Sequence, residues 1–244
     1  MKQLSEKSVD LIIEDKPYGK LPLNKVNWDS SYKIEGIFEQ YNRILKNNGQ
    51  LVIWGQQPML SFVLIEALEN DFVYRFEEIW EKPGAMWNSN YIPMKIHEQF
   101  IVFKKKKSNV SNCVFNINDL KTQGNEYVRN RNNDKTKSKN HNIDYQNIIT
   151  ENNGYRFPTS ILKAPSKPYM KKELRTEHPT QKSNEISDWI VKGLSNKGNL
   201  IYIPFAGSGT EIESCIRYNR SWIATEINDK YINDIIIPRI NNMK

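Results

Sequence analysis

A chain of 244 residues, 38% of them hydrophobic, can bury one sizeable core, and a single domain spanning residues 1–244 with an insertion is expected. The formal net charge of +7 favours a polyanionic partner. Two distant cysteines, Cys113 and Cys215, and three scattered histidines, His97, His141 and His178, argue against a disulfide framework and against a metal site. With no apolar signal core and no run long enough to span a bilayer, a cytoplasmic protein without a membrane partner is expected.

The charge is unevenly placed. From Lys104 to Lys182 there are 17 Lys/Arg against 7 Asp/Glu, while the rest of the chain holds 18 against 21. Such a split suits a nucleic-acid-facing segment, although an Asn- and Lys-rich stretch also has the composition of a disordered loop.

In chain order, VDLIIE at Val9 to Glu14 reads as a buried strand. It stops at the turn-forming Asp15-Lys16-Pro17-Tyr18-Gly19. Ile34, Ile37, Phe38, Tyr41, Ile44 and Leu45 recur at helical spacing, with Asn48-Gly49 as the stop. Leu51 to Trp54 is a second strand, Pro58 to Glu69 a helix, and Phe72 to Trp80 and Glu98 to Phe103 two further strands. Between those two strands lies a loop with Trp87, Asn88, Asn90 and Tyr91. Residues 104–158 are poor in apolar residues and read as a basic insertion. Regular structure resumes with a helix at Ser183 to Leu194, a strand at Asn199 to Ile203, and a Gly-containing turn leading into a helix that ends near Tyr218. A strand at Trp222 to Glu226 and a helix at Lys230 to Ile240 follow. This alternation predicts an α/β domain with a mostly parallel, doubly wound sheet and one antiparallel strand near its edge.

Ligands of such sheets bind at the carboxyl ends of the strands. Three polar clusters fall there: Asp15 to Tyr18, Phe205-Ala206-Gly207-Ser208-Gly209-Thr210, and Glu226. The glycines let backbone approach a ligand, and a helix amino terminus follows; a plain tight turn reads equally well. Glu226 suits a ribose diol or is a surface acid before a helix. Asp15 and Tyr18 offer an acceptor for an amine and a face for a base, or form an ordinary strand-to-loop turn.

Taken together these residues resemble the beta-class amino-methyltransferases of DNA. Asp15-Lys16-Pro17-Tyr18 is similar to the catalytic Asp-Pro-Pro-Tyr, and Pro204 to Thr210 is similar to the cofactor loop Asp-Pro-Phe-Ala-Gly-Ser-Gly-Thr. His178-Pro179-Thr180-Gln181-Lys182 matches the segment ahead of that loop, and Ala224-Thr225-Glu226-Ile227 with Tyr231 resembles the Gly-x-Glu-x…Tyr stretch. The catalytic motif precedes the cofactor loop by 192 residues, the beta-class order. The resemblance implies a Rossmann-like methyltransferase fold, S-adenosylmethionine as cofactor and double-stranded DNA as partner. It implies a flipped base whose amine is held by Asp15 and the carbonyl of Lys16, with Pro17 in the turn and Tyr18 stacked on the base. Asp at the first position favours adenine over cytosine. Phe205 to Thr210, Glu226, Ile227, His178, Thr180, Gln181 and Lys182 are the implied cofactor residues, with Glu226 on the ribose hydroxyls. Lys104, Lys105, Lys106, Lys107, Arg129, Arg131, Lys135, Lys137 and Lys139 are candidate phosphate contacts within a target-recognition region over the crevice, or solvated loop charge. Trp28-Asp29 stands where the family often has a similar pair that shapes the target pocket.

Two departures matter. Lys16 replaces a proline; pointing inward at roughly 6 Å and an effective dielectric of about 20, its ammonium opposes the cofactor's sulfonium by about 3 kcal/mol, whereas pointing outward it meets a phosphate. Ile203 replaces the acid that stabilises the positive end of the cofactor, a loss of roughly 1.5–3 kcal/mol. A degenerate homologue that binds DNA, a second copy or a partner subunit without catalysis, and an RNA or cytosine amino-methyltransferase, are the competing expectations.

Overall fold

A computed structural model describes residues 1–18, 34–84, 90–131 and 148–243. Contacts divide these into a main unit, built from 1–116 and 159–244, and a smaller unit, Ile117–Pro158.

The main unit is a seven-stranded sheet. Strand β1 (Val9–Glu14) lies at its centre, parallel to β2 (Leu45–Gly55) on one side and to β10 (Leu200–Ile203) on the other. Outside β10 runs β11 (Ser221–Ala224), also parallel. On the other flank β4 (His97–Lys105) pairs antiparallel with both β2 and β3 (Phe72–Glu81), and β9 (Ile161–Lys163) closes that edge parallel to β3. The order is β11-β10-β1-β2-β4-β3-β9, so the reversed strand is third from the β9 edge. From β1 the chain goes to β2 on one side, while β10 continues to β11 on the other. The strand order therefore reverses between β1 and β10, where a crevice opens at the carboxyl ends.

Period-two alternation assigns the two faces. Leu51, Ile53, Ile101 and Phe103 join Val9 and Ile12 in a core closed by Ile37, Phe38, Tyr41 and Ile44 of α1 (Ile37–Ile44) and by Met59, Leu60, Val63 and Ala67 of α2 (Met59–Glu69). On the opposite face Trp54 packs on Phe100 at 4.8 Å between ring centroids, and Phe100 packs on Trp189 of α3 (Asn184–Leu194) at 6.0 Å. These residues are almost fully buried, and each large side chain contributes roughly 1.5–3 kcal/mol of hydrophobic stabilisation. Helix α3 packs on α4 (Thr210–Arg217), where Asp188 accepts hydrogen bonds from Ser214 and Tyr218.

The first helix stops earlier than Asn48-Gly49 predicts. It ends at Ile44, because Leu45 already pairs with Val9 across the sheet. Strand β11 ends at Ala224, which leaves Glu226 beyond the ladder rather than at its last position. The last helix runs from α5 (Asp229–Tyr231) through a wide turn at Ile232–Ile236 into α6 (Ile237–Asn241). The three-residue β9 is too short to carry a hydrophobic period; Trp80 holds the chain just after it, donating its indole N–H to the Ala164 carbonyl at 2.8 Å.

The basic insertion begins later than residue 104. Lys104 and Lys105 complete β4 and are buried, and the Lys104 ammonium donates to the carbonyls of Lys105 and Ser108. Asn116 remains in the main unit, its amide donating to the carbonyls of Lys192 and Ser195. In the smaller unit β5 (Thr122–Gln123) pairs antiparallel with β8 (Tyr155–Arg156), and β6 (Tyr127–Arg131) pairs with β7 (Ile148–Asn152), a nested hairpin. The Arg156 guanidinium stitches it, lying 4.9 Å from the Tyr127 ring and bonded to Asn152 and the Asn125 carbonyl. No helix among the described residues is long and apolar enough to cross a membrane.

Candidate active site

A cavity of about 210 Å³ opens at the carboxyl ends of β1 and β10. Asp15, Lys16, Pro17 and Tyr18 line it from the end of β1. Phe205, Ala206, Gly207 and Ser208 line it from the turn after β10, and Glu226 and Ile227 from beyond β11. His178, Thr180 and Lys182 face it from the segment ahead of α3.

Asp15 is held on both oxygens. The Tyr18 hydroxyl donates to Oδ1 at 2.7 Å, and Lys182 Nζ stands 2.8 Å from Oδ2. Lys182 also reaches Glu98 Oε2 at 3.2 Å and donates to the Tyr18 hydroxyl oxygen at 3.3 Å. Its ammonium lies 5.0 Å from the Trp54 ring and 5.3 Å from the Tyr18 ring. Glu98, reached by Lys182 and Lys82, is a second cavity residue. Burial pushes the Glu98 carboxyl up, but the two lysines outweigh it and hold it at about 2. Burial lowers Lys182, and Asp15 and Glu98 more than reverse that, so its ammonium is held well above the usual lysine range. Burial, then the charges of Asp15 and Glu98, raise the Tyr18 phenol, which stays a donor at neutral pH.

Lys16 takes neither of the two orientations its sequence position suggested. Its side chain is buried, and Nζ pairs with Glu14 Oε1 at 3.0 Å, 5.7 Å from the Phe38 ring. Glu14 is fully buried at the end of β1, so the charge brought by Lys16 is matched before it reaches the cavity. Ile203 is buried within β10 and is not part of the cavity wall.

The glycine turn is built for close approach. Gly207 has φ +51°, and a Cβ there would meet His178 Nε2 at 3.2 Å. Its N–H donates to Glu226 Oε2 at 2.7 Å, while Asn228 N–H donates to Oε1 at 2.9 Å, which fixes the carboxylate at the cavity wall. Gly209, at φ +73°, leads into α4 against Ile236, and Arg239 donates to the Ser208 carbonyl at 2.7 Å. The His178 ring packs edge-on against Tyr231 at 4.7 Å. Burial and then the nearby Lys182 and Lys167 push His178 down to about 4, so it is neutral at pH 7.

Gly209, Thr210 and Gln181 do not line the cavity. Gln181 instead ties its own loop, accepting from Thr176 N–H at 2.7 Å and donating to the Leu174 carbonyl at 2.7 Å. Of the proposed phosphate contacts, Lys106, Lys107 and Arg129 are exposed. Arg131 lies on β6, and Lys135, Lys137 and Lys139 fall outside the described residues, as do Trp28, Asp29, Trp87 and Asn88. Gln56 and Glu98 line the cavity without any motif to mark them. Glu98 carried one signal, an acid just ahead of the apolar run Phe100 to Phe103.

The wall suits a nucleoside carrying positive charge. Glu226 offers acceptors for a diol, the glycine turn admits ligand close to backbone, and the carboxylates favour a cation. S-Adenosylmethionine fits that donor set: Glu226 with Gly207 would hold its ribose, and the turn from Phe205 to Ser208 would face its adenosine and methionine.

A family model described as DNA methylase matches residues 9–237. DNA adenine methyltransferase YhdJ of Escherichia coli (strain K12) is 27% identical over 241 residues, covering 95% of this chain and 76% of that protein. Type II methyltransferase M.HpaI of Haemophilus parainfluenzae is 28% identical over 242 residues, covering 95% of this chain and 68% of that protein. Among solved structures, the M1.HpyAVI–SAM complex aligns with a TM-score of 0.64 at 25% identity, over 98% of this chain and 90% of that one. The cytosine-N4-specific PvuII DNA methyltransferase aligns with a TM-score of 0.62 at 16% identity, over 99% of this chain and 88% of that one, a likeness of fold. With its motifs gathered on one crevice and its sequence matched almost end to end, the chain belongs to the DNA methylase family.

Proposed function

We propose that this protein methylates the exocyclic amine of adenine in DNA, with S-adenosylmethionine as donor and Asp15 as the residue that presents the amine. The observation that carries this reading is the clamped Asp15 carboxylate, set in the same cavity as the glycine turn and Glu226. The adenine specificity of YhdJ, alongside Asp at the first motif position, supports adenine over cytosine.

The bound donor supplies an electrophilic methyl group on sulfur. The chain's task is orientation and electrostatics. A base turned out of the duplex enters the crevice. Asp15 and the Lys16 carbonyl accept its amine hydrogens, which turns the nitrogen lone pair toward the donor. Lys182 holds Asp15 Oδ2 in place while Oδ1 exchanges the Tyr18 hydroxyl for the amine. Tyr18, released from that bond, lies against the base. Trp54 beneath Lys182 keeps this charged group out of bulk water.

Lys106, Lys107 and Arg129, with the unit Ile117–Pro158, are assigned to DNA contact, a positioning role that carries no sequence reading by itself. Salt dependence of DNA binding tests that assignment, and sedimentation with DNA tests for a second copy or a partner subunit.

Methyl-labelled S-adenosylmethionine, incubated with duplex DNA, single-stranded DNA and RNA and followed by nucleoside digestion, tests the main reading. N6-methyldeoxyadenosine from DNA is expected. Label only in RNA, or only in cytosine, would replace it with one of the alternative amino-methyltransferase readings.

A further inference from the structure

Among the described residues, the carboxylates that line the cavity outnumber the cations paired with them. Four carboxylates line it: Asp15, Glu98, Glu211 and Glu226. Lys182 and Lys82 match Asp15 and Glu98, Lys16 is spent on Glu14, and His178 is neutral at pH 7. Glu211 and Glu226 remain. Glu226 is steadied by two backbone N–H donors.

Glu211 is the stranger of the two. It sits in the first turn of α4, directly after the glycine turn, and is only 5% exposed. Its Oε1 accepts from the Ser187 hydroxyl at 3.0 Å. Among the described residues no lysine, arginine or histidine forms an ion pair with it. A buried carboxylate without a cation is costly, and the Ser187 hydroxyl with the amino terminus of α4 offsets only part of that cost. Glu211 lines the same cavity as Asp15, Tyr18 and Lys182, and its charge is felt by Tyr18 and by Cys215.

We infer that Glu211 is the counter-charge for the cationic methionine end of S-adenosylmethionine, its sulfonium and α-ammonium. This deepens the cofactor reading of the cavity and rests on it. With its α-carboxylate counted, the methionine end still brings one net positive charge to the wall, and a neutral nucleoside brings none. Burial, with Asp15 next, raises the Glu211 carboxyl in the free protein, and a cation bound beside it favours the ionised form. The groups bearing on that titration are Asp15, Lys182 and Tyr18 from the cavity and Cys215 from α4 itself.

Titration calorimetry of the full chain with S-adenosylmethionine and with S-adenosylhomocysteine, wild type beside Glu211→Gln, tests this. Glutamine keeps the size and the acceptor for Ser187. The S-adenosylmethionine affinity of the variant is expected to fall about tenfold or more. An equal fall for S-adenosylhomocysteine assigns Glu211 to the α-ammonium; a fall confined to S-adenosylmethionine assigns it to the sulfonium. Repeating the wild-type titration in two buffers of different ionisation enthalpy should show proton release at mildly acidic pH that the variant lacks. Unchanged affinity for both ligands, with no difference in proton release, would overturn the inference while leaving the cofactor site standing. Absence of binding by the wild type would overturn the cofactor reading itself, and the inference with it.

Discussion

Lys182 Nζ stands 2.8 Å from Asp15 Oδ2, and the two residues are 167 positions apart in the sequence. The segment His178 to Lys182 reads in the sequence as a cofactor element, yet its lysine is committed to Asp15, the carboxylate proposed to present the target amine. With Glu98 on its other side, Lys182 is a buried cation between two anions. Such a group fixes geometry more than it adds stability, but its removal leaves uncompensated charge.

Replacing Lys182 by Met should therefore act twice. The loss of stability is expected to be about 3–5 kcal/mol, seen as a lower denaturation midpoint. Methyl transfer should fall by roughly a hundredfold in kcat, because Asp15 loses the partner that orients it. Cofactor affinity should not fall, because the change removes a cation from the cavity, and a loss of kcat without a loss of affinity separates positioning of Asp15 from direct cofactor binding. Lys182→Arg keeps the charge and should recover part of the stability.

The Glu14–Lys16 pair gives a second test. Lys16→Ala strands a fully buried carboxylate and should cost about 3–5 kcal/mol. The double change Glu14→Gln with Lys16→Met removes both charges and should restore most of that loss. If the single and double variants unfold at the same denaturant concentration, the two residues are not coupled.

Glu78 on β3 is buried, with one carboxyl oxygen lacking a hydrogen-bond partner, and burial pushes it up to about 7. Its folded value lies above its unfolded one, so between the ordinary carboxylate range and pH 7 the folded state binds more protons and stability falls as pH rises. The effect is up to about 3 kcal/mol across that window. Glu78→Gln should flatten the slope and be the more stable protein at pH 8, as urea midpoints measured from pH 4.5 to 8 would show.

Much of this molecule is legible in its sequence, and what is not shares a physical cause. The strand Val9–Glu14 and the turn after Ile203 announce themselves because apolar runs and glycines act locally. Ile12 must be buried wherever its strand goes. The commitments of charged groups are set by neighbours distant in sequence. Lys104 reads as part of a basic tract because four lysines run together, yet the first two complete a strand register with Gln50 and Phe72. Lys16 reads as a cation facing either cofactor or DNA, and only the fold shows Glu14 taking it. Glu98 and Gln56 join the cavity from elements that carry no catalytic pattern, because the crevice is assembled by sheet order and not by chain order.

The central claim is that the Asp15 carboxylate presents the target amine. Asp15→Ala and Asp15→Asn, assayed in single turnover with labelled S-adenosylmethionine and duplex DNA, address it most directly. Both should lose methyl transfer by about a thousandfold or more, with cofactor affinity within about threefold of wild type and an unchanged circular dichroism spectrum. Turnover close to wild type in either variant would contradict the account and place the acceptor for the amine elsewhere in the cavity.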